Sequence, residues 1–284
     1  MAIDGLKMIA ANFGDDPELL YFNQYYSSLL KPLFDSVDWN ELDTYLTDNK
    51  QIFENNLKAT VVNEYCKVSI DDCTQKTLNL FKNSFIDKCN EKDSVSSECS
   101  KVPVMIRKLV YSNGVRYGTS KEYEFVVDRF MNESVQAEQL RLLDALGCSK
   151  NTITLKKMLN DSMVVEDGKY RMQDIGTLMR SVGGDFIGKR IIFEWLIDNW
   201  PKIYKTLKPQ HSLMNSLINN ALQIHRTSDI ALLESFLHKY ASTTSKYDNF
   251  KQNLETAKQR ADWREKHMDG LAEWFSKHSD GQPE

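Results

Sequence analysis

Apolar side chains recur at helical spacing from one end of this sequence to the other, and the strict alternation that marks a half-buried strand is absent. One such stripe consists of Ile230, Leu233, Phe236, Leu237 and Tyr240. Ser228-Asp229 precedes the stripe and offers good capping residues, so a helix is predicted to begin there. This pattern favours an all-α fold.

A second stripe ends at two glycines. Its members are Met172, Ile175, Leu178, Met179 and Val182. Gly183-Gly184 is a natural helix terminator, and Gly184-Asp185 is predicted to open the next helix. With Gly188, these glycines superficially resemble a phosphate-binding turn. No strand precedes them and no Lys-Ser/Thr follows, which favours a helix boundary.

Short connections separate the helical segments. Gly147-Cys148-Ser149-Lys150 and the Pro201 that follows Trp200 are predicted to join antiparallel neighbours. No strict repeat is visible, so the sequence predicts an irregular HEAT- or armadillo-like superhelix of antiparallel helix pairs. The polar stretch from Asn90 to Lys101 is predicted to be an exposed loop.

Composition excludes several classes of partner. The 284 residues carry a net charge of -4 and contain no basic run, which argues against nucleic acid. No apolar run reaches the roughly 18–20 residues of a membrane-spanning helix, so no membrane contact by this chain is expected. The opening Met1-Ala2-Ile3-Asp4-Gly5 lacks the pattern of a signal peptide and is typical of an expression start.

The histidines do not form a catalytic zinc site. A gluzincin needs two histidines four residues apart on one helix, with a glutamate between them. The sequence has five histidines, and the residues four positions after them are Asn215, Asp229, Ser242, Leu271 and Gln282. Nucleophile elbows and glycine-rich phosphate loops are also missing. We therefore assign no catalytic residue, no metal ligand and no cofactor to this chain.

Five cysteines bear on the compartment. Cys66 and Cys73 are seven residues apart, Cys89 and Cys99 are ten apart, and Cys148 stands alone. The spacing favours two local disulfides with Cys148 left reduced and buried, which indicates an oxidising compartment. Five reduced thiols remain the alternative. Two possible N-glycosylation sites, at Asn132 and Asn160, agree with secretion.

Three strings in the second half of the chain point to a family. The segment from Glu138 to Ser149 ends in Ala-Leu-Gly-Cys-Ser, Arg171-Met172-Gln173-Asp174 follows, and Phe193 to Trp200 ends in Asn-Trp. In order and spacing they resemble the C-terminal domain of M1 zinc aminopeptidases, the group of aminopeptidases N and A. Leu233 to Phe236 and Asp262 to Phe275 are similar to the closing helices of that domain.

The resemblance extends backwards to Leu19. Lys31-Pro32-Leu33-Phe34 resembles the end of the domain's opening helix, and Cys66 and Cys73 match an early cysteine pair. The expected domain therefore covers residues 19–276, preceded by an added or linking segment, 1–18, and followed by a frayed tail, 277–284.

The resemblance implies a helical bowl without catalytic residues that encloses the peptide-binding chamber of a larger enzyme. It implies zinc in the parent's catalytic domain, with that domain and the peptide as partners and a homodimer as a further possibility. It also implies a location outside the cell or in the secretory lumen, as part of the ectodomain of a membrane-anchored parent.

Two departures from the family pattern stand out. The family commonly pairs the cysteine of the Ala-Leu-Gly-Cys-Ser string with one in an upstream Val-Tyr-Cys, but here Ser112 follows Val110-Tyr111. Cys148 therefore lacks its usual partner, and the pair of Cys89 and Cys99 is an addition. Some members hold the far end of the substrate with a basic residue of this domain, and no such residue is identifiable between Lys208 and Asn220.

The motif residues are interpreted as architecture. Arg171, Gln173 and Asp174 are expected to start a helix, with Asp174 placed for capping. Large side chains at helical spacing are expected in the core before they act as ligand platforms. The motif residues in this class are Trp195, Trp200, Trp263 and Trp274, and Asn199 is a further structural residue of the family motif.

Two alternative functions stay open. The chain could be the binding module of a catalytically inactive, peptidase-like receptor. It could also be a HEAT-like scaffold unrelated to peptidases.

Overall fold

A computed structural model describes residues 2–39, 42, 52–164 and 168–278. Helices make up 78% of the structure, and the described residues contain no strand, so the predicted all-α class is confirmed. Within the same residues, no helix is both long enough and apolar enough to cross a bilayer. The HEAT-like detail stays a prediction.

The chain divides into two compact units, Met1–Leu146 with Gly270–Glu284, and Gly147–Asp269. The helices of the first unit are α1 (Ala2–Phe13), α2 (Leu19–Asp35), α3 (Ile52–Val68), α4 (Ile70–Leu80), α5 (Ser96–Cys99), α6 (Arg107–Tyr117), α7 (Ser120–Asn132) and α8 (Gln136–Leu146). Those that begin in the second unit are α9 (Thr152–Asp161), α10 (Ile175–Val182), α11 (Phe186–Leu207), α12 (His211–Ala221), α13 (Thr227–Lys239), α14 (Ala241–Thr244) and α15 (Asp248–Lys277). The end of α15, from Gly270, belongs to the first unit.

Residues 1–18, which were predicted to be an added or linking segment, contain the helix α1. Phe13, at the end of α1, is fully buried. Its ring centroid lies 6.2 Å from that of Phe22 on α2 and 5.9 Å from that of Phe275 on α15. Burial of this aromatic cluster makes α1 part of the packed unit. Of the predicted tail, Lys277 ends α15 and His278 follows it, and the rest lies outside the described residues.

The prediction of a helix break at Pro201 is wrong. Pro201 lies inside α11, which continues to Leu207. Proline has no N–H for the helical ladder, so an exposed helix would be destabilised here. Trp200, Ile203 and Leu207 are each at most 1% exposed, and their burial keeps the helix continuous across the proline.

The boundary between α10 and α11 follows the prediction. α10 ends at Val182 before the two glycines, and the Asp185 side chain caps α11 by accepting a 2.9 Å hydrogen bond from the Gly188 N–H. A side chain at Gly188 would collide with the Val182 carbonyl oxygen. These glycines therefore permit close packing of two helix ends.

Candidate anion-binding site

The first family string contains a buried carboxylate. The Tyr111 hydroxyl donates a 2.8 Å hydrogen bond to Glu138 Oε1, and a guanidinium nitrogen of Arg107 lies 3.2 Å from the same oxygen. Arg141 lies 2.7 Å from Oε2. Glu138 is 1% exposed. Burial of the Tyr111 hydroxyl, and then the negative charge of Glu138, raise the pKa of Tyr111 well above its usual range. The buried Arg107, Tyr111 and Glu138 link α6 to α8, so their role is structural.

Arg129 holds the loop that follows Cys89. Its guanidinium donates to the carbonyl oxygens of Cys89, Glu91, Lys92 and Ser94 at 2.8–3.2 Å, and the arginine is 3% exposed. Because four carbonyl oxygens accept hydrogen bonds from one planar guanidinium group, the loop after Cys89 is held in one conformation.

Both predicted cysteine pairs lie at disulfide distance. Cys66 in α3 is bonded to Cys73 in α4, and Cys89 is bonded to Cys99 at the end of α5, each with a Cα separation of 5.3 Å. Cys148 forms neither bond and is half-buried. The predicted full burial of Cys148 is wrong because this residue lies in the connection after α8 rather than on its apolar stripe.

The Arg-x-Gln-Asp string forms a 3₁₀ turn at Met172–Asp174, ahead of α10. Asp174 is 2% exposed, and its carboxylate lies 2.7 Å from Arg171 Nε. Its side chain makes no capping hydrogen bond, so the predicted cap is replaced by this ion pair. Gln173 is exposed.

The tryptophans fall into two classes. Trp195 and Trp200 are buried in the second unit, and the Trp200 indole donates to Thr243 Oγ1 at 2.9 Å. Asn199 donates from its side chain to the Trp195 carbonyl at 3.0 Å. Trp263 and Trp274 are instead 36% and 43% exposed, so the prediction that they are core residues is wrong. Their helix, α15, has apolar side chains at helical spacing, but the face that these side chains form is partly exposed to solvent.

A group of cations lies where α11, α13 and α15 approach one another in the second unit. Arg190 of α11 forms an ion pair with Asp229 of α13, and Glu234 of α13 forms one with Lys258 of α15. These two bridges tie the three helices together beside Lys189, which precedes Arg190 in α11.

Three half-buried cations at this place act on one another electrostatically, and we call Lys189, Arg260 and Arg264 the cation cluster. Burial first, and then the charge of Arg260, lower the pKa of Lys189, while the cap Asp185 raises it. Burial and the charge of Arg264 lower the pKa of Arg260 in the same way. The like charges of these three residues make this part of the second unit a candidate place for an anionic ligand.

The sequence contained a signal for this cluster. Arg260 and Arg264 are four residues apart and therefore share one face of α15. The cluster lies outside the interval from Lys208 to Asn220, and Lys189 and Arg260 are about 70 positions apart in the sequence, so only the folded chain can bring them together.

Comparisons with known proteins agree with the sequence resemblance. Residues 1–259 match the family model described as the ERAP1-like C-terminal domain. The chain is 28% identical over 273 residues to aminopeptidase N of Haemonchus contortus, covering 96% of this chain and 28% of that protein. It is 24% identical to human glutamyl aminopeptidase, covering 95% of this chain and 26% of that protein.

A third relative carries a different kind of name. The chain is 24% identical over 219 residues to aminopeptidase-like protein AC3.5 of Caenorhabditis elegans, covering 77% of this chain and 20% of that protein. The chain thus spans about a quarter of the length of the curated relatives it matches.

Proposed function

The chain belongs to the family of ERAP1-like C-terminal domains found in M1 aminopeptidases, and from this membership we propose that it is the non-catalytic C-terminal domain of a zinc aminopeptidase. Its sequence contains no pair of histidines four residues apart, so the chain has no zinc-binding pair of the gluzincin type. In this proposal the parent's catalytic domain holds the zinc and contacts this domain. The alternative of a scaffold unrelated to peptidases is set aside by the family match.

The domain's contribution is to enclose and bind the peptide. An aminopeptidase acts on the amino end of a peptide, which leaves the carboxylate at the far end for another part of the enzyme. The observation that carries the proposed function is the match to the family model over residues 1–259, and three half-buried cations on α11 and α15 support an anion-binding role. We assign the peptide carboxylate to Lys189, Arg260 and Arg264.

Binding of matched peptides tests this assignment. The purified chain is titrated with a labelled peptide that ends in a free carboxylate and with the same peptide amidated at its end. The isolated domain should bind the carboxylate form weakly, with a dissociation constant on the order of 1 mM, and the amide more weakly still.

Two charge-matched variants on α15 locate the contact. Arg260→Gln should weaken carboxylate binding by roughly fivefold, about 1 kcal/mol. Lys266→Gln, which removes an exposed cation from the same helix, should leave binding unchanged. Equal affinity for both peptides, or equal effects of both substitutions, would reject the cluster as the carboxylate site.

We place the parent outside the cell or in the secretory lumen, as a membrane-anchored ectodomain that can form a homodimer. The two cysteine pairs at disulfide distance support an oxidising compartment.

A catalytically inactive parent is the second candidate, since one relative of the chain is an aminopeptidase-like protein. An intact His-Glu-x-x-His string upstream in the parent favours the enzyme, and its loss favours the receptor.

A further inference from the structure

We propose that Asn132 carries an N-linked glycan, which rests on the secretory location proposed above. Asn132 begins the triplet Asn132-Glu133-Ser134, which the glycan-transferring enzyme recognises. It is the last residue of α7, and Glu133 after it adopts an extended conformation. Asn132 and Ser134 are both exposed, while Glu133 between them is 4% exposed and accepts hydrogen bonds from Ser97.

The amide of Asn132 can carry a sugar without losing its existing contact. Asn132 Nδ2 donates a 3.1 Å hydrogen bond to the Lys92 carbonyl in the loop held by Arg129. A primary amide has two hydrogens, and glycosylation replaces one of them. The remaining N–H can still donate to the Lys92 carbonyl.

The transfer uses a lipid-linked oligosaccharide diphosphate as donor. A bond forms between Asn132 Nδ2 and the anomeric carbon of the first sugar. The bond between that carbon and a phosphate oxygen of the donor breaks, and the amide nitrogen releases one proton. The lipid diphosphate leaves with the electron pair of the broken bond.

Two apolar side chains beside the triplet are also exposed. Met131 and Val135, which flank the triplet, are 54% and 48% exposed. A hydrophilic glycan on Asn132 would lie beside these two side chains.

The second possible site differs in its surroundings. Asn160 Oδ1 accepts a 2.9 Å hydrogen bond from the Trp195 indole, and the amide therefore takes part in packing α9 against α11. The hydroxyl residue of its triplet, Ser162, is 1% exposed and donates to the Leu159 carbonyl. We therefore assign the glycan to Asn132 and use Asn160 as the control.

Site-resolved mass spectrometry tests the assignment. The full chain is secreted from eukaryotic cells behind a supplied signal peptide, and peptide N-glycosidase is used to mark each glycosylated asparagine. We expect a glycan on Asn132 that is lost in Ser134→Ala and kept in Ser134→Thr. Asn132→Gln should remove it, and Asn160→Gln should leave it in place.

An unmodified Asn132 in secreted chain with both disulfides formed would overturn the assignment. Because the signal is supplied, that result concerns the site alone. The proposed location fails separately if the protein isolated from its own cells reacts with five equivalents of a thiol reagent.

Discussion

The Tyr111 hydroxyl donates a 2.8 Å hydrogen bond to the buried carboxylate of Glu138, and this bond joins two residues that are 27 positions apart in the sequence. Arg107 and Arg141 supply positive charge to the same carboxylate. We therefore expect Glu138→Gln to lower the free energy of unfolding by about 3 kcal/mol, because it leaves Arg107 buried beside a neutral amide. Urea denaturation of the two proteins measures the difference.

The exposed Glu265 offers a matched control for this substitution. Glu265→Gln should change the free energy of unfolding by less than about 0.5 kcal/mol. A loss below about 1 kcal/mol for Glu138→Gln would contradict the structural role of the buried carboxylate.

Tyr111 also predicts how stability depends on alkaline pH. Its folded pKa lies above the ordinary value of about 10, because of burial and the charge of Glu138. Burial similarly raises the pKa of Tyr26 to about 12. Above pH 10 the unfolded chain loses protons that the native protein keeps, so stability is full below pH 10 and falls as the pH rises.

Tyr111→Phe removes one phenol that stays protonated in the native protein above pH 10. The loss of stability above pH 10 should then become shallower by up to about 1.4 kcal/mol per pH unit. Tyr21→Phe, which removes an exposed phenol, is the control. An unchanged slope in Tyr111→Phe would show that this hydroxyl does not stay protonated in the native protein.

The loop between Cys89 and Cys99 should depend on the shape of Arg129 as well as on its charge. Arg129→Lys keeps the charge but cannot reach four carbonyls at once, so we expect faster amide exchange across residues 90–101. Arg180→Lys, on the exposed side of α10, should leave that exchange unchanged. Equal protection of the loop in wild type and Arg129→Lys would contradict the proposed role.

Thiol titration checks the cysteine pairing. Unreduced chain in denaturant should react with one equivalent of a thiol reagent, at Cys148. Replacing Cys66 and Cys73 with serine should cost roughly 2–3 kcal/mol, since the bond closes a short loop in the unfolded chain. Three or five reactive thiols would show that one or both bonds are absent.

Much of the helical order could be predicted from the sequence, because periodic apolar residues and end signals act locally. The end of α10 at two glycines and the cap at Asp185 are examples. Pro201 misled the prediction because its local preference is overridden by burial of Trp200 and Ile203. The π-helical segment Phe81–Ile86, which continues α4, has no comparable sequence signal.

The candidate site was less predictable than the helices. Lys189 and Arg260 belong to helices that are far apart in the sequence, and the effect of the Arg260 charge on the pKa of Lys189 depends on how those helices pack. The exposure of Trp263 and Trp274 could not be predicted for a related reason. Helical spacing shows which residues share a face, but it does not show whether another element packs on that face. The cysteine pairs were accessible from sequence because seven and ten residues are separations that local turns can close.

Hydrolysis of aminoacyl anilides, measured with zinc content on the same purified chain, tests most directly whether this domain is non-catalytic. We predict no release of product above a blank and less than stoichiometric zinc, because the sequence lacks the histidine pair and its glutamate base. Product release that is abolished by a chelator and restored by zinc would contradict the proposed function.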